Sequence, residues 1–139
     1  MSTPAPFGRM LTAMVTPFKK DGSIDWDGVE KIADHLVKTG HDGIVVNGTT
    51  GEAPTTKSSE KEEIIKVVKR VVGANIKVVS GAGDNETDYS INQAKRSEAA
   101  GADGILVVTP YYNKPPQAGI KAHFLAMANA TGLPMMLYD

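Results

Sequence analysis

Apolar residues follow two alternating patterns along this chain, and together these predict repeated strand–helix units. Short β-branched runs, such as residues 43–46 and 105–108, lack polar alternation, which is typical of strands buried on both faces. Between such runs, apolar residues recur at helical spacing over 29–37 and 64–72. Strand then helix occurs four times from Leu11 onward, before a fifth strand opens. This order predicts an α/β fold with a parallel sheet.

Local signals predict where two of the helices begin and which way they face. Ser59 and Glu62 have the spacing of a capping box, which places the start of the second helix there. The apolar face of the fourth helix is expected to contain Ile120, Phe124, Met127 and Ala128. A fifth strand is predicted from Met135. No helix pattern follows it in this sequence.

Two architectures fit this order. Residues 40–46 resemble residues 101–107, and the 61-residue offset equals two βα units, which suits a (β/α)₈ TIM barrel. Such barrels need about 250 residues, so residues 1–139 are expected to form the N-terminal half of a single barrel domain: about four βα units and the start of strand five. The alternative is a flavodoxin-like doubly wound domain. A final strand without a covering helix disfavours it.

Charge and composition exclude several function classes. The chain has 15 basic and 16 acidic residues, well mixed, so no field draws it to nucleic acid or an anionic membrane. It contains no cysteine, which excludes disulfides and thiolate chemistry. No apolar run approaches the ~18 residues of a membrane span, and the opening residues 1–6 lack the features of a signal peptide. We therefore expect a cytoplasmic protein, with no membrane or nucleic-acid partner.

Hydroxyl groups gather at the predicted carboxyl ends of the strands, where the active sites of such folds lie. The residues at these ends are Thr16, Thr49, Thr50, Ser80, Gly81, Asp84, Thr109, Tyr111, Tyr112 and Tyr138. Neighbouring hydroxyls can pass protons, and a tyrosine can act as an acid or a base. Threonine is also common in strands and tyrosine at half-buried positions, so each member alone has a structural explanation.

The segment Gly48-Thr49-Thr50-Gly51 gives the sharpest single signal. It follows a buried strand, and its glycines permit backbone conformations that turn amide groups toward an anion such as a carboxylate. A simple turn is the alternative interpretation. Glu52 is expected to hold this loop as a hydrogen-bond acceptor rather than to act as a catalytic acid.

Other reactive residue types are poorly placed for catalysis. His35, His41 and His123 lie in or beside predicted helices, which indicates structural or solvated roles. No cluster has metal-ligand spacing, and no glycine pattern matches a phosphate or dinucleotide loop, so no metal or cofactor is expected. Lys77 points to the wrong end of the sheet and Lys114 is solvated. No lysine here is therefore placed as an imine-forming nucleophile.

Three motifs in the same order resemble a known family. Residues 48–52, 109–115 and 137–138 read GTTGE, TPYYNKP and LY, and they resemble the dihydrodipicolinate synthase family of pyruvate-dependent class I aldolases. The resemblance implies a (β/α)₈ barrel, usually in homotetramers built as dimers of dimers. It implies condensation of pyruvate with L-aspartate 4-semialdehyde on the route to lysine, without a cofactor.

The resemblance also implies residue roles. Thr50 binds the pyruvate carboxylate, while Thr49 and Tyr112 relay protons to Tyr138, the general acid/base nearest the imine. Tyr112 crosses from a neighbouring subunit. The family's Schiff-base lysine lies beyond residue 139, so this chain alone is expected to be inactive. A sugar-acid aldolase of the same superfamily, and a flavodoxin-like domain without catalysis, are the alternatives.

An effector site is implied less completely. Asn85 and Tyr111 match the position where lysine binds in lysine-inhibited members of the family. Those members carry histidines near the positions of Ser58 and Lys61, and an acid at that of Tyr89. Three departures at one site leave feedback by lysine an open expectation.

Overall fold

The computed structural model describes residues 5–139, in which strands and helices alternate. Residues 1–4, part of the opening segment considered for a signal peptide, lie outside this range. The strands are β1 Leu11–Ala13, β2 Gly43–Val46, β3 Lys77–Gly81, β4 Gly104–Val108 and β5 Met135–Tyr138. The helices are α1 Trp26–Lys38, α2 Ser58–Val72, α3 Thr87–Ala99 and α4 Gln117–Ala130. No helix of residues 5–139 is long and apolar enough to cross a membrane.

The sheet has the topology of a barrel rather than of a doubly wound domain. Its five strands are parallel and follow the order β1-β2-β3-β4-β5. Ile44 and Ile105 pack toward the helices, whereas Val45 and Val79 pack on the other face with further strand residues and Phe7. A doubly wound sheet reverses its strand order and carries helices on both faces. The barrel prediction is therefore confirmed, and the flavodoxin-like alternative is wrong.

Phe7 covers the amino-terminal end of the sheet. Its side chain is buried and packs against Val45 and Val79. A Cβ atom on Gly104, the first residue of β4, would lie only 2.2 Å from the Phe7 ring, so this contact requires glycine. The amino-terminal end is thus closed. The loops with hydroxyl residues lie at the opposite end.

The sequence repeat has a structural role in joining strands. Asp42, just before β2, accepts hydrogen bonds from the backbone N–H groups of Arg9 and Met10 at 2.8 and 3.0 Å. Asp103, just before β4, likewise accepts from the N–H of Val78 at 2.8 Å. The two amide donors hold the pKa of the Asp42 carboxyl below its usual value. Each aspartate therefore ties the start of its own strand to the strand before it.

The capping box of α2 lies two residues earlier than the sequence pattern indicates. The backbone N–H of Lys57 donates to Glu60 Oε2 at 2.7 Å, so these residues form the box and the predicted pair Ser59 and Glu62 is wrong. Glu62 instead forms an ion pair with Arg96 on α3. Lysine at the N-cap is not part of the usual capping-box pattern, so the sequence pattern pointed to Ser59 instead.

Replacement of Asp103 by alanine should destabilise the protein by about 1–3 kcal/mol, because the N–H of Val78 and the Lys69 ammonium, 2.8 Å from the carboxylate, both lose their partner. Urea unfolding of the full-length protein measures this. Glu63→Ala, an exposed site on the same helix as Lys69, is the matched control and should change the free energy of unfolding little. Equal effects of the two substitutions would contradict the role of Asp103.

Candidate functional site

The loop after β2 presents unused hydrogen-bond donors. Thr49 and Thr50 are exposed at its tip. Among residues 5–139, neither their hydroxyls nor their backbone N–H groups make a hydrogen bond. Four donors side by side at the carboxyl end of a parallel strand suit a carboxylate or another small anion.

The backbone of this loop is tightly folded. Asn47 and Glu52 have φ of 58° and 56°, in the left-handed region that non-glycine residues seldom adopt. Between them, Gly51 N–H donates to Gly48 O at 3.0 Å and Glu52 N–H donates to Thr49 O at 3.0 Å. The Glu52 carboxylate, expected to hold this loop as an acceptor, accepts no hydrogen bond among residues 5–139; only its backbone carbonyl does, from Thr55 Oγ1 at 3.0 Å.

Both ends of the loop are fastened to the core. At the start, Asn47 is buried and its Nδ2 donates to Lys61 O at 3.1 Å and to Ser80 Oγ at 3.2 Å. At the end, the buried Thr16 donates from Oγ1 to Gly51 O at 2.7 Å. The sequence analysis missed Asn47. The available signal was its position as a polar residue directly after the apolar run of residues 43–46.

Ser80 does not belong to the rim of hydroxyls predicted from the sequence. Ser97 on α3 donates from its Oγ to Ser80 Oγ at 3.0 Å, so the Ser80 side chain lies between β3 and the helices. Side chains alternate along a strand, and Val79 is the neighbour that faces the other side of the sheet. The prediction used only the position of Ser80 along the chain. It did not consider which face of the sheet the Ser80 side chain occupies.

The loops after β3 and β4 touch each other. Tyr111 donates from its hydroxyl to Asp84 Oδ2 at 3.1 Å, and Asn113 Nδ2 donates to Asn85 O at 3.1 Å. The structure thus brings Asn85 and Tyr111 into one loop pair. Burial, followed by the Asp84 carboxylate, raises the pKa of Tyr111, which favours the neutral phenol.

Tyr112 and Tyr138 lie at the same end of the sheet without joining Thr49. Tyr112 is 90% exposed with φ of 67°, and Tyr138 is 58% exposed at the end of β5. Among residues 5–139, no hydrogen bond links any two of these three side chains. Thr49 and Tyr138 follow strands three positions apart, roughly 14 Å along a flat sheet, so only a curved sheet brings them closer.

The positions that depart from the family pattern make contacts of their own. Lys61 is buried on α2, and its Nζ donates to Tyr89 Oη at 3.2 Å and lies 5.6 Å from the centre of that ring. Ser58 Oγ accepts from Gln93 Nε2 at 2.6 Å. Within residues 5–139, no group of three histidine, aspartate or glutamate side chains is arranged to hold a metal ion.

His123 is an internal residue of α4. It is buried beside Met127, whereas Ala128, predicted on this face, is exposed. Its Nδ1 lies 3.0 Å from Thr87 Oγ1, and its Nε2 has no partner among residues 5–139. Burial lowers the pKa of His123, so the neutral ring is favoured. This environment agrees with the structural role expected for the residue.

Comparison with known proteins identifies the same family throughout the chain. The model of the dihydrodipicolinate synthetase family matches residues 6–139. The 4-hydroxy-tetrahydrodipicolinate synthase of Acidothermus cellulolyticus is 59% identical over 98% of this chain and 44% of its own length. The chain therefore spans slightly less than half of such a relative.

Solved structures agree in fold. The dihydrodipicolinate synthase of Cyanidioschyzon merolae, solved with lysine bound, is 52% identical with a TM-score of 0.93, over 96% of this chain and 46% of that one. The chloride-inhibited dihydrodipicolinate synthase of Acinetobacter baumannii, solved with pyruvate, is 42% identical with a TM-score of 0.91, over 94% and 45%. The five strands are thus the first part of a (β/α)₈ barrel like theirs.

The buried state of His123 predicts a pH-dependent stability. Below about pH 6.5 the unfolded chain protonates this histidine while the folded protein resists protonation, so the free energy of unfolding falls as the pH decreases. His123→Asn should reduce the loss of stability between pH 7.5 and 5.5, measured by urea unfolding. His35→Asn, at an exposed site on α1, should leave that loss unchanged. Identical pH profiles for wild type and His123→Asn would refute this assignment.

Proposed function

This chain belongs to the dihydrodipicolinate synthetase family, and from that we propose that it supplies the first half of the active site of a 4-hydroxy-tetrahydrodipicolinate synthase, a Schiff-base lyase. The proposed full-length enzyme condenses pyruvate with L-aspartate 4-semialdehyde in lysine biosynthesis. Its imine-forming lysine lies outside residues 1–139. The observation that carries the proposal is the loop at Thr49 and Thr50, with four free donors at the carboxyl end of β2.

In this proposal the loop binds the carboxylate of pyruvate. Thr50 contributes its hydroxyl and the loop contributes backbone N–H groups, which together replace water around the anion. Hydrogen bonds to an ionised acceptor are about twice as strong as neutral ones. The Acinetobacter baumannii relative was solved with pyruvate, which supports this choice of ligand.

Proton transfer is assigned to hydroxyl side chains. Loss of water during imine formation needs a proton on the departing oxygen, and formation of the enamine needs removal of a proton from the methyl carbon. We assign these transfers to Tyr138 as general acid/base, supplied through Thr49 and Tyr112. Hydroxyls suit the task because each one can donate and accept at once.

The proposal includes assembly of several copies. Tyr112 is 90% exposed, so its phenol is available to a second subunit, and an oligomer built as a dimer of dimers completes the relay. The cysteine-free composition agrees with a cytoplasmic setting.

We also assign an effector pocket to the loop pair that contains Asn85 and Tyr111. The contacts Tyr111–Asp84 and Asn113–Asn85 give this pocket a fixed wall. Lys61 places its ammonium at Tyr89, which disfavours a cationic effector on that side because like charges repel.

Pyruvate and borohydride should label the full-length protein. Reduction of the Schiff base should add one pyruvate-derived mass, and peptide mapping should find it on a lysine outside residues 1–139. A protein that stays unlabelled would end the proposal. Cleavage of a 2-keto-3-deoxy sugar acid, with aspartate semialdehyde ignored, would instead favour the sugar-acid aldolase.

Thr49→Val should lower kcat of the full-length enzyme about 100-fold, because valine keeps the shape of threonine but cannot pass a proton. Thr55→Val is the matched control: Thr55 is exposed in the same segment, and its hydroxyl bonds only to the local carbonyl of Glu52. It should retain most of the activity. Steady-state kinetics with both substrates measure the difference, and similar kcat values for the two variants would remove Thr49 from the relay.

A further inference from the structure

We propose that Thr16 is a positioning residue: its buried hydroxyl sets the orientation of Thr49 and Thr50 without itself touching substrate. The inference rests on the proposed function of the loop. This positioning role of the segment after β1 is separate from the proposed proton relay and from the proposed binding of the anion.

The contact is short, buried and close to the functional residues. Thr16 is 8% exposed, and its Oγ1 donates to Gly51 O at 2.7 Å. Gly51 directly follows Thr50 and is itself buried. A Cβ atom on Gly51 would lie 3.1 Å from both Thr16 Oγ1 and Met14 O, so the loop end sits directly on the segment that follows β1.

Besides the hydrogen bond from Glu52 N–H to Thr49 O, the two threonines are held through the ends of their loop. Gly51 N–H and Ala53 N–H both donate to Gly48 O, at 3.0 and 3.2 Å, which closes the loop on itself. Thr49 and Thr50 contribute no donor to this closure among residues 5–139. Their direction is therefore fixed by Asn47 at one end and by the Thr16–Gly51 bond at the other.

The polar groups at these ends are buried and fix the backbone of the loop. The Thr16 hydroxyl is the donor that satisfies the Gly51 carbonyl, which has no other partner among residues 5–139, so it contributes to stability as well as to position. Asn47 is 3% exposed, and its Oδ1 has no partner among residues 5–139. Two buried polar anchors therefore flank a loop whose own donors are unused. Such an arrangement holds a loop in one position, as at sites that must bind a ligand.

Two substitutions in the full-length enzyme, Thr16→Val and Thr16→Ser, distinguish the contribution of the hydroxyl group from that of side-chain packing. We expect Thr16→Val to lower kcat/KM for pyruvate about 30-fold, since a displacement near 1 Å can cost ~10²-fold. Thr16→Ser keeps the donor and should stay within about 2-fold of wild type. Assays run well below the unfolding temperature, because a purely structural role would lower that temperature and leave kcat/KM unchanged, an outcome that overturns the proposal.

Hydrogen exchange gives a readout independent of activity. The amides of Gly51, Glu52 and Ala53 should exchange at least 5-fold faster in Thr16→Val than in Thr16→Ser. Unchanged exchange overturns the role of the Thr16–Gly51 bond. If the wild type traps no pyruvate while Thr16→Val still exchanges faster than Thr16→Ser, only the proposed function is overturned. If Thr16→Val does not fold, Thr16→Ala decides: it removes the same hydroxyl donor without placing a methyl group against Gly51 O, and it should give the same two changes.

Discussion

A parallel sheet must be covered on both faces, and in this chain the described helices cover only one. Ile44, Val78 and Ile105 project toward the helices, whereas the opposite face carries Val45, Val79 and Phe7. Strict alternation along each strand makes this division unavoidable. It also decides which polar residues can reach the inside of the barrel, since only every second position at a strand end faces that way.

Thr16 and Ser80 are similar in chemistry but have different surroundings, because Ser80 lies within β3 whereas Thr16 follows β1 by three residues. Ser80 is directed at α3 and joins Ser97 and Asn47 in a buried hydroxyl–amide group. Thr16 instead bonds to the carbonyl of Gly51 in the neighbouring loop. The strands and their end residues form a rigid base that keeps the loops in register.

The order of elements and the parallel sheet could be predicted from the sequence, because each depends on local periodicity. The location of the proposed site, inferred from which strand end a loop follows, stays a prediction. The start of α2 was predicted two residues late, because the N-cap of this helix is Lys57, a residue type that local capping patterns do not indicate. The Thr16–Gly51 bond joins residues 35 positions apart, and a hydroxyl has many acceptors to choose from. Burial of His123 likewise depends on how α4 packs on α3, which local spacing does not encode.

The unused donors of Thr49 and Thr50 have one further consequence. In the proposed site these exposed groups have no protein partner among residues 5–139, so an incoming carboxylate would displace solvent rather than protein. Such a site would select for charge and small size before chemical identity. Halide, sulfate and other electrolytes would then compete for the same positions, and apparent affinity would depend on the surrounding medium as much as on the fold.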